Sequence, residues 1–447
     1  MKQPFLKYVL SVFRGELWRV NSSHLTPPLL SNFKEWVVFL VVVGVIAMVS
    51  LGLEYRAFLS FKTSGFKEGF SVIEASVLNQ YTKVGKNGEY SVLRLQNKHI
   101  SFYTTTKEDI KNLMHRRVRV VLVTKNLTFL QYLQGFYAFS VDIAVLPQEY
   151  HFKQQIRESI TKQHTSEIAA NVYHTLFLAD SLNYQMRSLA NALGIAHLFA
   201  ISGYHYGVLS FFILLLSYPT YRYFHHHYFP YRNALMDLLS IPVIFGFLYL
   251  LLLGFTPSFL RAFCMALCSY LLFIGGVRVV SLHSFFALGL LMIALFPSLL
   301  FSIGFILSML GVFYILLFIQ YIPTISIWNI ILFNLGIFLF MLIPVHFIFT
   351  PFTPLALLSI PLTLAFNFFY PFVLIAHLIG IGDVADSLIL WASALEIPVI
   401  AVKTTKVILG IWIFLCFAAI PFRRLFYALN LYCLAFFSYN LSLFLLQ

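Results

Sequence analysis

Ten stretches of the chain are apolar over about the 20 residues that a helix needs to cross a bilayer core. The first covers residues 36–53, and the others lie near 195–218, 235–253, 259–276, 281–299, 303–321, 326–347, 355–379, 401–421 and 424–446. Residues 66–150 follow a different pattern. There, 72–78 alternates at period two, Lys86-Asn87-Gly88 supplies a hairpin turn, and 90–95 answers as the returning strand. A third strand over 100–104, a short helix over 108–114 and two further strands over 118–124 and 137–146 complete the segment. Three strands, a helix and two strands is the order of an OB-like barrel, a fold that holds chain-like ligands across one face. From 155 to 180 the pattern is helical, with Ile156, Ile160, Ile168, Val172 and Leu176 along one side, as in a helix lying on a membrane surface. The expected architecture is a polytopic α-helical membrane protein of about ten transmembrane helices. A small extracytoplasmic OB-like β-barrel domain is inserted after the first helix. Residues 1–65 form a cytoplasmic N-terminus and first anchor, 66–150 the β domain, 151–194 an amphipathic helical segment, and 195–447 the polytopic transmembrane domain.

Composition excludes a soluble core. Of 447 residues, 60% are hydrophobic and 11% charged, against roughly a quarter charged in a soluble domain. Residues 279–382 contain no Asp, Glu, Lys or Arg. The net charge of +13 reflects in part the Lys and Arg that cytoplasmic loops retain. Lys2, Lys7, Arg14, Arg19 and Lys34 precede the first apolar run, which assigns the N-terminus to the cytoplasm and the β domain to the outside. That run comes late and lacks a small-residue cleavage site, so it reads as a retained anchor. The next span then ends in the cytoplasm, in agreement with Arg222, Arg232 and His225-His226-His227. Residues 383–398 are too few and too acidic for a span, which leaves the sidedness beyond Asp383 open.

Few residues offer chemistry. Cys264, Cys268, Cys416 and Cys433 sit inside apolar runs and read as small buried hydrophobes. The triplet His225–His227 cannot converge on one ion from regular structure, so no metal site is expected, and no cofactor is implied. There is no GxxxxGK[ST] loop for nucleotide phosphates and no His-x-His-x-Asp-His metal signature. The informative segment is HLFAISGYHYG, residues 197–207, where His197, Ser202, Gly203, Tyr204, His205, Tyr206 and Gly207 interrupt an apolar helix. Such groups either satisfy one another in helix packing or border a wet cavity. Arg261 near a span start either snorkels to the headgroups or meets a phosphate through paired hydrogen bonds. Asp180 either caps a helix beginning near Ser181 or orders the segment behind it.

Taken together these segments resemble a known family. HLFAISGYHYG is similar to the HLLAISGLHVG segment of the ComEC competence family, and Ser258-Phe259-Leu260-Arg261-Ala262 resembles its SVLRA motif. Leu176-Phe177-Leu178-Ala179-Asp180 resembles its LLLGD, and Gly304-Phe305-Ile306-Leu307-Ser308 its GFQLS. Order and spacing agree, and the likeness extends from the N-terminal domain to about residue 398. The resemblance implies an inner-membrane channel that carries single-stranded DNA into the cytoplasm during natural transformation. His197, Ser202, Gly203, Tyr204, His205, Tyr206, Gly207 and Arg261 would line or gate the path, supported by Asp180, Ser258, Gly304, Phe305 and Ser308. Tyr204 and Tyr206 stand where the family has aliphatic residues, Ala179 where it has glycine, and Ile306 where it has glutamine. Longer members carry a C-terminal domain resembling metallo-β-lactamases. The chain ends at Gln447 directly after its last apolar run, so the resemblance implies a short form without nuclease activity. The expected partners are single-stranded DNA and membrane lipids, with a separate DNA receptor, nuclease and cytoplasmic ATPase or helicase; self-association stays open. Arg116, Arg117, Arg119 and Lys125 give the outer domain a basic stretch for DNA contact. Two competing readings are a polytopic membrane transferase acting on lipid-linked or acyl substrates, with His197 or His205 as base and Arg261 on a phosphate, and a structural scaffold of an uptake machine.

Overall fold

The structure is a computed structural model and describes residues 29–30, 32–65, 69–85, 88–97, 100–106, 113–114, 116–147, 152–276, 280–324 and 326–446. The chain divides into two compact units, one built from Lys34–Ile156 with Gly289–Ile303, the other from Arg157–Leu288 and Gly304–Gln447.

The first unit begins with helix α1 (Phe33–Lys62), apolar and long enough to cross a bilayer. Strands β1 (Phe70–Gly85), β2 (Gly88–Gln96), β3 (Ser101–Thr106), β4 (Arg117–Val123) and β5 (Ser140–Val145) form one antiparallel sheet in the order β3-β2-β1-β4-β5. Gly85 pairs with Gly88, as a two-residue hairpin requires; Lys86 and Asn87 themselves lie outside the described residues. Most of the helix expected over 108–114 also lies outside them. The helix that is seen, α2 (Phe129–Gln134), stands between β4 and β5, started by a capping box in which Thr128 and Gln131 exchange hydrogen bonds. The β3 edge is engaged by the approach to β5: Tyr103 N donates to Phe136 O at 2.9 Å, and Ala138 N to Tyr103 O at 3.0 Å. Period-two alternation buries Val118, Val120 and Leu122 on one face of β4, against Leu93, Leu95 and Phe102. Phe58 and Phe61, at the end of α1, complete that core against Tyr132 and Phe136. The β domain is thus packed on the end of its own anchor.

In the second unit the amphipathic segment is two helices, α3 (Phe152–Thr161) and α4 (Glu167–Leu178), with a turn between them. They are followed by α5 (Tyr184–Ala192), the four-residue α6 (Ala196–Phe199) and α7 (Gly203–Tyr228). Helices α8 (Ala234–Leu252), α9 (Pro257–Ile274), α10 (Leu282–Leu295), α11 (Ile303–Tyr321) and α12 (Ile327–Ile348) continue the chain. A two-residue strand β6 (Pro351–Phe352) precedes α13 (Ser359–Leu378), a 3-10 turn over Gly382–Ala385 and α14 (Asp386–Ser393). Strand β7 (Ile400–Ala401) pairs with β6, and α15 (Lys406–Ala418) and α16 (Arg423–Leu445) end the fold.

Among the described residues seven helical segments are long and apolar enough to cross a membrane: 33–62, 234–252, 257–274, 303–321, 327–348, 354–378 and 423–445. The protein is therefore read as a multi-pass membrane protein. Three of the ten expected spans differ in form. The one near 195–218 is broken at Ala200-Ile201-Ser202. The one near 281–299 stops at Leu295, because Pro297 opens a 3-10 turn. The one near 401–421 begins only at Lys406, giving 13 helical residues, or about 20 Å against a core of about 30 Å. The outward-facing residues are apolar, as lipid contact requires: Phe368 is 76% exposed and Phe414 68%. The interior is aromatic, with Tyr314, Phe340, Trp412 and Phe426 packed together.

Candidate functional site

The break at 200–202 is built by Ser202 and Gly203. Ser202 is the N-cap of α7, in extended conformation, and its hydroxyl accepts from Tyr204 N at 3.3 Å. Interrupting a helix strands carbonyls of the preceding turn. His205 reaches back to one of them: its Nε2 lies 3.0 Å from Leu198 O. A carbonyl only accepts, so Nε2 carries the proton and Nδ1, 3.5 Å from Ser202 Oγ, is left as an acceptor. His205 is fully buried, edge-on to Phe366 and Tyr370 with centroids at 5.3 and 5.0 Å. From this fully buried position it locks the helix break, while its neighbours in the segment are more exposed.

Those neighbours present a polar, small-residue surface. His197, Gly203 and Gly207 are exposed, while Ser202, Tyr204 and Tyr206 are half-buried. His197 Nδ1 donates to Gly194 O at 3.0 Å, leaving Nε2 to accept from the Thr363 hydroxyl of α13 at 3.4 Å. Tyr204 donates to Thr363 O at 2.7 Å and lies 2.9 Å from Asn367 Oδ1. Tyr206 donates to Pro242 O of α8 at 3.0 Å. The ring of Tyr206 fits only because residue 246 is glycine, whose missing Cβ would collide with it. The two tyrosines are thus tied to α13 and α8, and the segment is fixed on both sides.

The other motif segments come to the same place. Gly203 faces Ala262 of α9, with 3.6 Å between a Cβ built on the glycine and that of the alanine. Tyr206 meets Phe259 edge-on at 5.8 Å. Ile201, Phe259 and Phe263 share a buried cluster with Leu250 and Leu253, against which Ala179, Tyr206 and Leu260 pack. Arg261 is half-buried, and its guanidinium stands 6.0 Å from the ring centroid of Phe305 on α11. Gly304 and Ser308 beside it are exposed, and Ser258 is half-buried. Four segments far apart in sequence, 176–180, 197–207, 258–262 and 304–308, are joined through these contacts.

The N-cap of the helix that follows is Asn183, which accepts from Met186 N at 2.8 Å, and not Asp180. Asp180 is instead held by Arg157 of α3 in a bidentate pair, with Nε at 3.0 Å from Oδ2 and Nη2 at 3.0 and 2.8 Å from the two oxygens. The pair is buried, the two side chains retaining 15% and 4% of their exposure. Sequence reading missed Arg157; the available signal was a cation three residues before Ile160 on the apolar side of an amphipathic helix. Ala179 is the C-cap of α4 in the left-handed region, φ 58°. That is a conformation glycine adopts without cost, which accounts for the glycine the resembling motif carries there.

On the β domain, Arg117 and Arg119 project from the exposed face of β4 and both bind Glu74 of β1, at 3.1 and 2.7 Å. Hydrogen bonding by Arg119, aided by both positive charges, holds the Glu74 carboxyl below its usual range against the opposing effect of desolvation. A phosphate would have to compete with this carboxylate. Arg116 is exposed just ahead of β4. Lys125 lines a recess of about 460 Å³ with Asn126, Gln131, Gln134 and Tyr137.

Fold and site together define a multi-pass membrane protein in which a broken helix, two spans and the mostly buried helix α4 are held together by polar and aromatic contacts. The sequence model of the competence protein family matches residues 179–444, more than half of the chain, and the protein belongs to that family, of the ComEC/Rec2 type. No curated protein and no solved structure matches it.

Proposed function

We propose that the protein lies in the bacterial cytoplasmic (inner) membrane and admits single-stranded DNA to the cytoplasm during natural transformation. The observation that carries this reading is the convergence of the four motif segments around the broken helix. There His197, Gly203 and Gly207 are exposed, and Arg261 is half-buried over Phe305. A strand across a core of about 30 Å, with a phosphate every ~3.4 Å, brings roughly nine charges into the membrane. Each costs several kcal/mol to desolvate, so the route has to be wet and shielded by protein from lipid. A helix that stops and restarts frees backbone groups that need other partners, a device tolerated at membrane depth only where it borders protein or water. His205 and Asp180 are positioning residues in this reading. Arg261 is the phosphate contact, because guanidinium pairs bidentately with phosphate.

The β domain is the receiving element. Its sheet is read as an OB-like barrel, with the recess at Lys125 and Tyr137 offering a cation and an aromatic face to the strand. In this reading a DNA receptor, a nuclease and a cytoplasmic motor are its partners. An enzymatic reading would take His197 or His205 as base with Arg261 on a phosphate; His197 is exposed, whereas His205 is fully buried and a base at 205 would need a change of conformation to meet a substrate.

The test follows fluorescent DNA in a naturally transformable host lacking the gene, complemented with the wild-type chain or with Arg261→Ala at matched membrane levels. DNA arrested outside the cytoplasmic membrane in both the deletion and the Arg261→Ala strain is the expected result. Normal cytoplasmic entry in the deletion strain would exclude the channel reading, and normal entry with Arg261→Ala would remove Arg261 from the path.

A further inference from the structure

A second cluster of titratable groups lies outside the motif segments. His164, in the turn between α3 and α4, has a side chain with no exposure. Its Nδ1 lies 2.9 and 3.0 Å from the two carboxylate oxygens of Asp386, the first residue of α14. Its Nε2 lies 3.0 Å from Nε2 of His377, near the end of α13. His377 Nδ1 in turn lies 2.6 Å from Val373 O. Tyr173 of α4 stacks on His164, centroids 4.7 Å apart and planes at 13°, and packs on His377 at 4.4 Å. Among the described residues its buried hydroxyl has no hydrogen-bond partner.

Val373 O can only accept, so His377 Nδ1 carries a proton. With Asp386 ionised, His164 Nδ1 carries one too. In neutral rings both Nε2 atoms would then be bare lone pairs facing each other at 3.0 Å, which is repulsive. A hydrogen bond across that gap needs one further proton. If the carboxyl is protonated instead, it donates to His164, which donates to His377, and the number of protons in the network is the same. Either way the three groups together hold one proton beyond the neutral imidazoles and the carboxylate. A positive charge shared by the rings is stabilised by the Asp386 carboxylate and by the face of Tyr173.

We propose that His164 and His377 bind a single shared proton, balanced by Asp386, and that this proton fastens the α3–α4 turn to the end of α13 and the start of α14. The fastener is closed with one proton in the gap. It opens when that proton leaves, because the lone pairs then repel. The groups facing it are Tyr173 from α4, Asp386 from α14, Asp383 from the 3-10 turn and His377 from α13. His174, also on α4, points elsewhere, at Arg157 O and Thr161. Burial, with the charges of Asp386 and Asp383, pushes the Tyr173 hydroxyl well up, so it stays neutral and does not compete for the proton. Gln163 supplies a second, non-titrating clamp: it accepts from Gly382 N at 2.9 Å and donates to His377 O at 3.2 Å. Proton loss therefore loosens the turn without freeing it. The hairpin so fastened carries Arg157 and ends at Asp180, beside the broken helix.

The test is amide hydrogen exchange of the full-length protein in detergent, followed from about pH 5 to about pH 8, the range of ordinary histidine titration, and corrected for the intrinsic pH dependence of exchange. Protection in residues 162–166 should fall about tenfold or more across a single-proton transition. In His377→Gln an amide N–H replaces the shared proton, and protection should be independent of pH. In Asp386→Asn the transition should move toward acid by about one pH unit or more, as expected on loss of an adjacent opposite charge. Constant protection in the wild type, or the same fall in His377→Gln, would overturn the proposal. Should His377→Gln fail to fold, an unmoved transition in Asp386→Asn would do so as well.

Discussion

Buried polar side chains in this protein are spent on fixing backbone. His205 takes the Leu198 carbonyl that the helix break would strand, and the bidentate Arg157–Asp180 pair closes the α3–α4 hairpin. Removing one member of a buried pair leaves the other charge uncompensated, at about 3–5 kcal/mol. Asp180→Leu should therefore destabilise the protein by that order in thermal unfolding, and the double variant Arg157→Met with Asp180→Leu should regain most of the loss. An equal loss in single and double variants would mean that the pair acts through something other than its charge. Ala179 allows the opposite experiment. Its left-handed φ of 58° costs an L-residue about 1 kcal/mol, and Ala179→Gly should return part of it as added stability. HLFAISGYHYG could be singled out from sequence because polar groups stand out inside an apolar run. Arg157, His164 and Asp386 could not, since each acquires its partner 23 to 222 positions away. No local pattern announces a pairing of that kind.

Among elements, the long apolar helices were legible because length and composition suffice to define them. Their ends were less so. Pro297 stops one helix early and the β6–β7 pair delays another, and neither effect changes hydropathy enough to be read from it. The β domain was legible as alternating strands; the helix expected between β3 and β4 falls mostly outside the described residues, and α2, between β4 and β5, was not read from the sequence. The basic run at 116–119 reads in sequence as one patch, but the pairing of β4 with β1 brings Glu74 between Arg117 and Arg119. Helix α7 meets α8 through Tyr206 over Gly246, with Phe263 of α9 also 3.1 Å from where a Cβ on that glycine would sit. With the ring held by Pro242 O, Gly246→Ala has nowhere to go and should cost about 1–3 kcal/mol as an overpacked contact. The added variant Tyr206→Ala should relieve the clash, and its failure to do so in unfolding measurements would mean that the crossing of α7 and α8 does not depend on this contact.

For the molecule as a whole, the central claim is that the exposed side of the broken helix borders a hydrated route used by DNA, while the buried side holds the break in place. In a cysteine-free background, lacking Cys264, Cys268, Cys416 and Cys433, single cysteines at His197, Gly203, His205 and the outward-facing Phe368 distinguish water, protein interior and lipid. The measurement is labelling by a charged, membrane-impermeant thiol reagent in vesicles, with and without single-stranded DNA. The account predicts that His197→Cys and Gly203→Cys react and are protected by DNA, while His205→Cys and Phe368→Cys do not react. Positions 197 and 203 as inert as 368, or labelling indifferent to DNA, would contradict it.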